Sequence, residues 1–234
     1  MTLRPAGSPS RLSRPTVILD GIPRGYHHNG GRIAFGPDGM LYAGTGEAEV
    51  ASLAQDETSL GGKILRMTPE GAPAPGNPFG TVVYSIGHRN VQGLAWDAEG
   101  HLFASEFGDH DKDELNWIRP GRNYGWPASQ GRTTIAGYTS PVAEFGTEED
   151  SPSGIALAGG SVFMGALAGQ RLWRIPLDGT RLVAPPQSFL QGRYGRLRSV
   201  LALSDDTIVI TTSNQDGRIP ANPGDDRILL LKVR

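Results

Sequence analysis

The side chains best suited to chemistry lie in three polar loops, each directly before a predicted strand. Their histidines, arginines and asparagines are His27, His28, Asn29 and Arg32; His88, Arg89 and Asn90; and Arg193, Arg196 and Arg198. A histidine can accept a proton near neutral pH, and clustered arginines with an asparagine suit an anionic ligand rich in carbonyl groups. Each loop alone has an ordinary explanation, such as a solvated histidine or an arginine paired with a carboxylate. Three loops at equivalent places predict one shared site.

A fourth polar segment, Glu106–Glu114, is rich in carboxylates and is followed by the glycine-containing stretch Pro120–Pro127. Hard cations prefer oxygen ligands of this kind, so the segment is a candidate calcium site. It lacks the ligand spacing of a helix–loop–helix calcium loop. A solvated acidic loop therefore explains it equally well.

A strand–turn–strand pattern recurs along the chain, with turns at Asp38, Glu99, Gly159 and Asp205. Between the copies lie apolar segments that are candidates for outer strands, namely Gly62–Met67, Glu114–Ile118, Arg171–Ile175 and Arg227–Leu231. Four-stranded units repeated without helical periodicity are typical of a β-propeller. The sequence therefore predicts an all-β fold, a propeller of four-stranded antiparallel blades with about four to five blades' worth of chain.

The predicted organisation is a loose arm at residues 1–15 and a single propeller domain at residues 16–234, beginning with a strand at Thr16–Leu19. The propeller would bring the three polar loops to one mouth. An incomplete ring leaves sheet edges unpaired, so some self-association is expected.

The composition excludes several classes of function. The chain has 234 residues, a net charge of −2 and no cysteine, which excludes disulfides and thiol chemistry. No basic stripe predicts nucleic-acid binding, and no apolar run approaches the roughly 18 residues that span a bilayer. Thirty-three glycines and 18 prolines indicate many turns. The first residues show no signal peptide.

Six motifs give the sequence a specific resemblance. They are His28–Arg32, Phe35–Gly39, Leu60–Arg66, Gly87–Gly93, Asp113–Asn116 and Asn123–Pro127. In this order they resemble the soluble glucose/sorbosone (aldose sugar) dehydrogenases that depend on pyrroloquinoline quinone (PQQ), over roughly residues 16–234. The resemblance implies a six-bladed propeller, periplasmic or secreted, that uses PQQ and Ca²⁺. It also implies oxidation of the C1 hydroxyl of an aldose to the lactone, with a cytochrome or a quinone as external electron acceptor.

The resemblance extends to individual positions of the candidate site. His28 resembles the general base, and His27 stands where some members have an acidic residue. The positions assigned by the resemblance to cofactor binding are His27, Arg89, Asn90, Arg196 and Arg198. Gly108 and Asp109 resemble the backbone ligands of the calcium bound to the quinone, and Glu114 and Tyr124 resemble ligands of a second, structural calcium.

Departures from the family pattern keep other functions open. Ala168 stands where better-studied members have a cofactor-binding lysine, Asp109 where proline is usual, and Phe107 where a polar residue is common. No counterpart of the N-terminal blade, which supplies a glutamine to the family's site, is recognisable. One alternative is therefore an incomplete propeller that binds a sugar or a partner without turnover. Another is a calcium-dependent propeller lactonase, although such an enzyme needs no arginine pair directed at a polycarboxylate.

Overall fold

The structure is a computed structural model that describes residues 14–233. The arm predicted at residues 1–15 lies outside the described residues, apart from Arg14 and Pro15. Within residues 14–233 the regular structure is β-strand, with one short 3-10 helix at Ala51–Gln55. No helix in this part of the chain is long and apolar enough to cross a membrane.

Sixteen strands form four antiparallel sheets that follow one another along the chain. The first sheet contains β1 (Gly30–Phe35), β2 (Leu41–Thr45), β3 (Ile64–Met67) and β4 (Val83–Ser85), and the second contains β5 (Val91–Trp96), β6 (Leu102–Glu106), β7 (Lys112–Ile118) and β8 (Ala143–Gly146). The third contains β9 (Pro152–Ala158), β10 (Ser161–Ala166), β11 (Arg171–Asp178), β12 (Arg181–Leu182) and β13 (Gln187–Phe189), and the fourth contains β14 (Leu197–Ser204), β15 (Thr207–Thr212) and β16 (Ile228–Lys232). These sheets are the blades of a β-propeller.

The first strands of the four sheets stand side by side around a common axis. β1 packs beside β5, β5 beside β9, and β9 beside β14. Residues of all four strands line one axial cavity of about 330 Å³. Each of these strands begins at the same end of the axis, because each blade repeats the same up-and-down path. The loops that precede β1, β5, β9 and β14 consequently meet at one mouth, and the hairpin turns lie at the other end.

The hydrophobic core is divided into layers between neighbouring blades. Tyr42 and Ile64 of the first blade pack on Val91 and Leu102 of the second. The next two layers have the same form, with Phe103 against Met164 in one layer. In the other, Phe163 of the third blade packs with Ile208 of the fourth. Full burial of one such side chain contributes about 1.5–3 kcal/mol to the stability of the fold. Each layer therefore holds two neighbouring blades together.

The hairpins follow the sequence prediction, but the strand predicted at Thr16–Leu19 was wrong. Residues 14–29 form no strand in the structure. Pro15, directly before this segment, has no N–H to donate to a ladder. Leu19 instead packs on the apolar cluster of the first blade, which contains Leu65 and Val83.

A buried lysine ties the first blade together. The Lys63 side chain is fully buried, and its Nζ donates to the carbonyl oxygens of Leu53 (2.5 Å), Ala54 (3.1 Å) and Gly61 (2.6 Å). Three carbonyl acceptors match the three N–H donors of an ammonium. Burial nevertheless lowers the pKa of Lys63 to about 8. The lysine thereby holds the loop between β2 and β3 against the end of β2, where Thr45 Oγ1 accepts the Lys63 N–H (3.0 Å).

We expect Lys63→Met to destabilise the protein strongly, because the apolar side chain leaves three buried carbonyl groups without their donor. The expected loss is about 2 kcal/mol or more in the free energy of unfolding, measured by urea denaturation. Lys232→Met removes an exposed lysine of β16 and serves as the control, with an expected change within about 0.5 kcal/mol. Equal stabilities of the two variants would contradict the structural role of Lys63.

Candidate functional site

The mouth formed by the loops before the innermost strands is an open cavity of about 570 Å³. Its lining comes from all four blades and comprises His27, His28, Asn29, Gly30, Asn90, Gln92, Phe107, Ser151, Leu167, Ala168, Arg196, Arg198, Asp216 and Arg218. The structure thus brings together six of the candidate residues, namely His27, His28, Asn29, Asn90, Arg196 and Arg198. Arg89 lies elsewhere.

His28 is the cavity histidine with a firmly held ring. Its Nδ1 lies 2.5 Å from Oε1 of Glu47, whose side chain is only 3% exposed. Since the carboxylate accepts, Nδ1 carries the proton, and the lone pair of the neutral ring is on Nε2. His27 instead pairs with Glu49 at 2.9 Å on the outer rim, with 60% of its side chain exposed. The geometry therefore favours His28 over His27 as a base inside the cavity.

The backbone at His28 depends on a close approach to Gly46. His28 has a positive φ of 54°, and its carbonyl oxygen accepts the N–H of Ala48 (3.0 Å). A Cβ at Gly46 would lie 1.8 Å from that oxygen, so a larger residue at this position would displace the loop. The glycine thus permits the contact that places Glu47 behind His28.

Arg196 directly precedes β14, and Arg198 lies at an irregularity of the ladder between Leu197 and Ser199, and both side chains line the cavity. Arg196 donates from Nε to Oδ2 of Asp216 (3.0 Å), and Arg198 donates from Nη2 to the same oxygen (3.3 Å). Burial, with a smaller contribution from the Arg196 charge, lowers the pKa of Arg198. The pair is a concentrated positive charge on one wall of the cavity.

Asn90 and Arg89 face different cavities, because successive residues entering a strand point to opposite sides. The Asn90 Oδ1 accepts from the Gly30 N–H and from Gln92 Nε2, both at 3.0 Å, so its own amide N–H groups remain for a ligand. Arg89 is turned toward a second, much smaller cavity, where its guanidinium lies 5.2 Å from the Trp126 ring. Phe107 lines both cavities.

The small cavity gathers oxygen atoms from the carboxylate-rich segment. Its lining includes Glu106, Gly108, Glu114 and Tyr124. Glu106 and Glu114 are cross-strand partners on β6 and β7, and both are buried. Burial, followed by the charge of Glu106, raises the pKa of Glu114 to about 8. Beside it, the Oδ1 of Asn116 is buried without a hydrogen-bond partner among the described residues.

The other candidate metal ligands differ in what they can offer. The Tyr124 hydroxyl donates to the Trp117 carbonyl (2.6 Å) and accepts the Arg119 N–H (2.9 Å), so it is already held by two main-chain partners. The Gly108 carbonyl oxygen accepts from Arg89 Nη1, and Asp109 pairs with Arg89 Nη2 at 2.8 Å. A guanidinium therefore already faces both of these residues.

Sequence reasoning did not select Glu47, Gln92, Asp216 or Arg218, all of which bear on the cavity. Glu47 and Asp216 follow strands β2 and β15, far along the chain from the groups they contact. The sequence contained one weak indication of Glu47 and Asp216, since each lies beside a glycine after the end of a strand. His88, in contrast, lies fully buried between Ser85 (2.8 Å) and Glu106 (2.8 Å) and does not reach the cavity.

Comparison with known proteins places this geometry in a family. Residues 2–221 match the family described as Glucose / Sorbosone dehydrogenase. The chain belongs to this family. It is 30% identical over 82% of its length to the aldose sugar dehydrogenase YliI of Escherichia coli K12, and 33% identical over 65% to quinoprotein glucose dehydrogenase B of Acinetobacter calcoaceticus. The PQQ-bound aldose sugar dehydrogenase of Streptomyces coelicolor superposes with a TM-score of 0.89, at 63% identity over 91% of this chain.

The chain spans only part of each of these proteins. It covers 59% of the E. coli relative and 38% of the Acinetobacter relative. Of the Streptomyces chain it covers 64%. The candidate residues of both cavities lie between residues 27 and 218, within the range that matches the family.

The raised pKa of Glu114 predicts a pH-dependent stability in the presence of a chelator. Because the pKa of Glu114 is higher in the folded than in the unfolded chain, its contribution to the free energy of unfolding is fully present below about pH 4.5. This contribution is lost as the pH rises toward 8. Glu114→Gln should remove this part of the pH dependence. Between pH 5 and pH 8 we expect the variant to gain about 2–4 kcal/mol relative to wild type.

The measurement is urea denaturation at several pH values, with Glu70→Gln, at an exposed site, as the control. The control should follow wild type throughout. A constant difference between Glu114→Gln and wild type across this pH range would show that Glu114 ionises normally in the fold.

Proposed function

We propose that this chain oxidises aldose sugars at C1, using PQQ and Ca²⁺. The observation that carries the proposal is the joining, in one cavity, of a carboxylate-held histidine and an arginine pair. Support comes from the family and from its PQQ-bound member in Streptomyces. The proposal treats residues 16–234 as a single propeller domain, with the sugar and an external electron acceptor as its partners.

The cavity suits a planar polycarboxylate such as PQQ. Arg196 and Arg198 supply charge-assisted N–H donors on one wall, and Asn90 supplies neutral ones on another. Ala168, where the family resemblance calls for a lysine, lines the same cavity and offers no charge. Arg218 also lines the cavity and is a cation that could compensate for the missing lysine.

The small cavity suits Ca²⁺ by its donor chemistry. Glu114 lines it, and the adjacent Asn116 side chain has an Oδ1 without a hydrogen-bond partner among the described residues, so both offer hard oxygen donors. Gly108 and Asp109 suit a cation less directly, because the Arg89 guanidinium already binds them. A calcium ion at these two residues would require Arg89 to move away.

His28 is the group that takes the proton of the C1 hydroxyl. Glu47 fixes the tautomer with the proton on Nδ1, which leaves Nε2 to accept the proton from the sugar. The imidazolium that results is stabilised by the Glu47 carboxylate, as in other histidine–carboxylate pairs. When bound, PQQ would supply the acceptor for the C1 hydride and Ca²⁺ would polarise the quinone, and loss of the hydride and the hydroxyl proton would give the lactone.

The deciding experiment is a titration of the purified chain with PQQ in the presence of Ca²⁺, followed by addition of glucose and an artificial dye acceptor. Saturable binding and dye reduction that requires both PQQ and sugar are expected. Binding without dye reduction, for a panel of aldoses, would replace the dehydrogenase with a cofactor- or sugar-binding module. No binding of PQQ by a cooperatively folded protein would overturn the proposed function.

Replacement of His28 tests the assignment of the base. His28→Ala should lower kcat by about 10²–10⁴-fold, the usual contribution of general-base catalysis, while the Kd for PQQ changes little. His27→Ala removes the rim histidine and should cost far less, because the His27 side chain is largely exposed and its Nδ1 pairs with Glu49. Equal losses in the two variants would remove His28 as the base.

Calcium should stabilise the chain through the small cavity. We expect the Tm of wild type to rise on addition of millimolar Ca²⁺, and to rise more at pH 8 than at pH 6, because protons compete for Glu114 below its raised pKa. Glu114→Gln should lose most of this increase, and Glu70→Gln should retain it. Equal increases in both variants would place the calcium site elsewhere.

A further inference from the structure

Asp216 is a cavity residue with an unusual set of partners. Its Oδ2 accepts from Arg196 Nε (3.0 Å), Arg198 Nη2 (3.3 Å) and Ser213 Oγ (3.3 Å). Its Oδ1 accepts the backbone N–H of Arg218 (3.1 Å). Although burial favours the neutral acid, this N–H and the two guanidinium groups hold the pKa of Asp216 below its usual value. The residue is a carboxylate fixed between two cations.

The loop that carries Asp216 also fixes the backbone of Arg196. The Arg196 N–H donates to Oδ1 of Asn214 (2.8 Å), and the Ser213 N–H donates to the Arg196 carbonyl (2.9 Å). Asn214 is buried and lies so close to Gly195 that a Cβ there would be 2.2 Å from its Oδ1. Both the main chain and the side chain of Arg196 are therefore positioned by the segment Ser213–Asp216.

Asp216 engages only a small part of each arginine. A guanidinium has five N–H donors, and the contact uses one of Arg196 and one of Arg198. The remaining donors are left for a ligand in the cavity. Two guanidinium groups this close repel each other, and the shared carboxylate offsets that repulsion before any ligand arrives.

We propose that Asp216 is a positioning residue, which holds Arg196 and Arg198 side by side so that their free N–H groups meet a ligand with several carboxylates. The inference rests on the proposed function, in which that ligand is PQQ. A preformed arginine pair loses little side-chain entropy on binding, which increases affinity. If the Asp216 carboxylate only repelled an anionic ligand, its removal would instead increase the affinity for that ligand.

The sign of the change on removing the carboxylate therefore decides between the two roles. In the calcium-loaded protein, Asp216→Asn should bind PQQ about tenfold more weakly, the scale of a lost charge-assisted contact, as measured by calorimetric titration. Asp206→Asn, in the β14–β15 turn of the same blade and outside the cavity, should bind as wild type does. Unchanged or tighter binding in Asp216→Asn would overturn the proposal.

A second variant separates position from charge. Asp216→Glu keeps the negative charge but moves it by one methylene, so a positioning role predicts weaker binding and simple repulsion predicts no change. Arg198→Ala provides a further check, because in its background Asp216→Asn should have a much smaller effect than in wild type. Full additivity of the two changes would contradict the coupling, and unfolding curves without ligand show whether each variant is folded.

Citrate, a simple tricarboxylate, distinguishes failure of this inference from failure of the proposed function. If wild type binds citrate but not PQQ, the proposed function fails, and the Asp216 variants are compared with citrate instead. If wild type binds PQQ and Asp216→Asn binds it equally well, the proposed function stands and the positioning role fails. If wild type binds neither compound, the arginine pair is no polycarboxylate site and both fail.

Discussion

The common direction of the innermost strands is the constraint on which the site depends. Because β1, β5, β9 and β14 all begin at one end of the axis, four loops distant in sequence converge there. The apolar layers between blades keep that convergence rigid, since each layer locks two neighbouring sheets. A cavity wall assembled in this way can combine a histidine from the first blade with arginines from the fourth.

Carboxylates that hold a histidine or an arginine recur around both cavities. Glu47 holds His28, Glu106 holds His88, and Asp216 holds the arginine pair. Asp113 acts similarly on the main chain, where its two oxygens accept the N–H groups of Gly108 and Ser151, each at 2.8 Å. It thereby links the wall of the small cavity to the wall of the large one. Paired burial of this kind costs desolvation but fixes geometry, which a binding site requires.

The sequence predicted the features that depend on local chemistry. Turn residues such as Pro37–Gly39 and the alternation around them located the hairpins, and their repetition indicated the propeller. The strand at Thr16–Leu19 failed because β-propensity alone says nothing about a hydrogen-bonding partner. Likewise, nothing in the sequence around Lys63 indicated that two carbonyl groups of the 3-10 helix and that of Gly61 would enclose its ammonium group.

The placement of the site residues shows where sequence spacing is sufficient and where it is not. Arg196 and Arg198, two apart, reach one cavity, whereas the adjacent Arg89 and Asn90 line different ones. The contacts made by Glu47 and Asp216 depend on how neighbouring strands pack, and not on the spacing of residues along one strand. A residue that contacts the ligand can thus be inferred from a motif, but the carboxylate that orients it follows only from the packing of neighbouring strands. For this reason the positioning groups, more than the contacting ones, are what the structure adds.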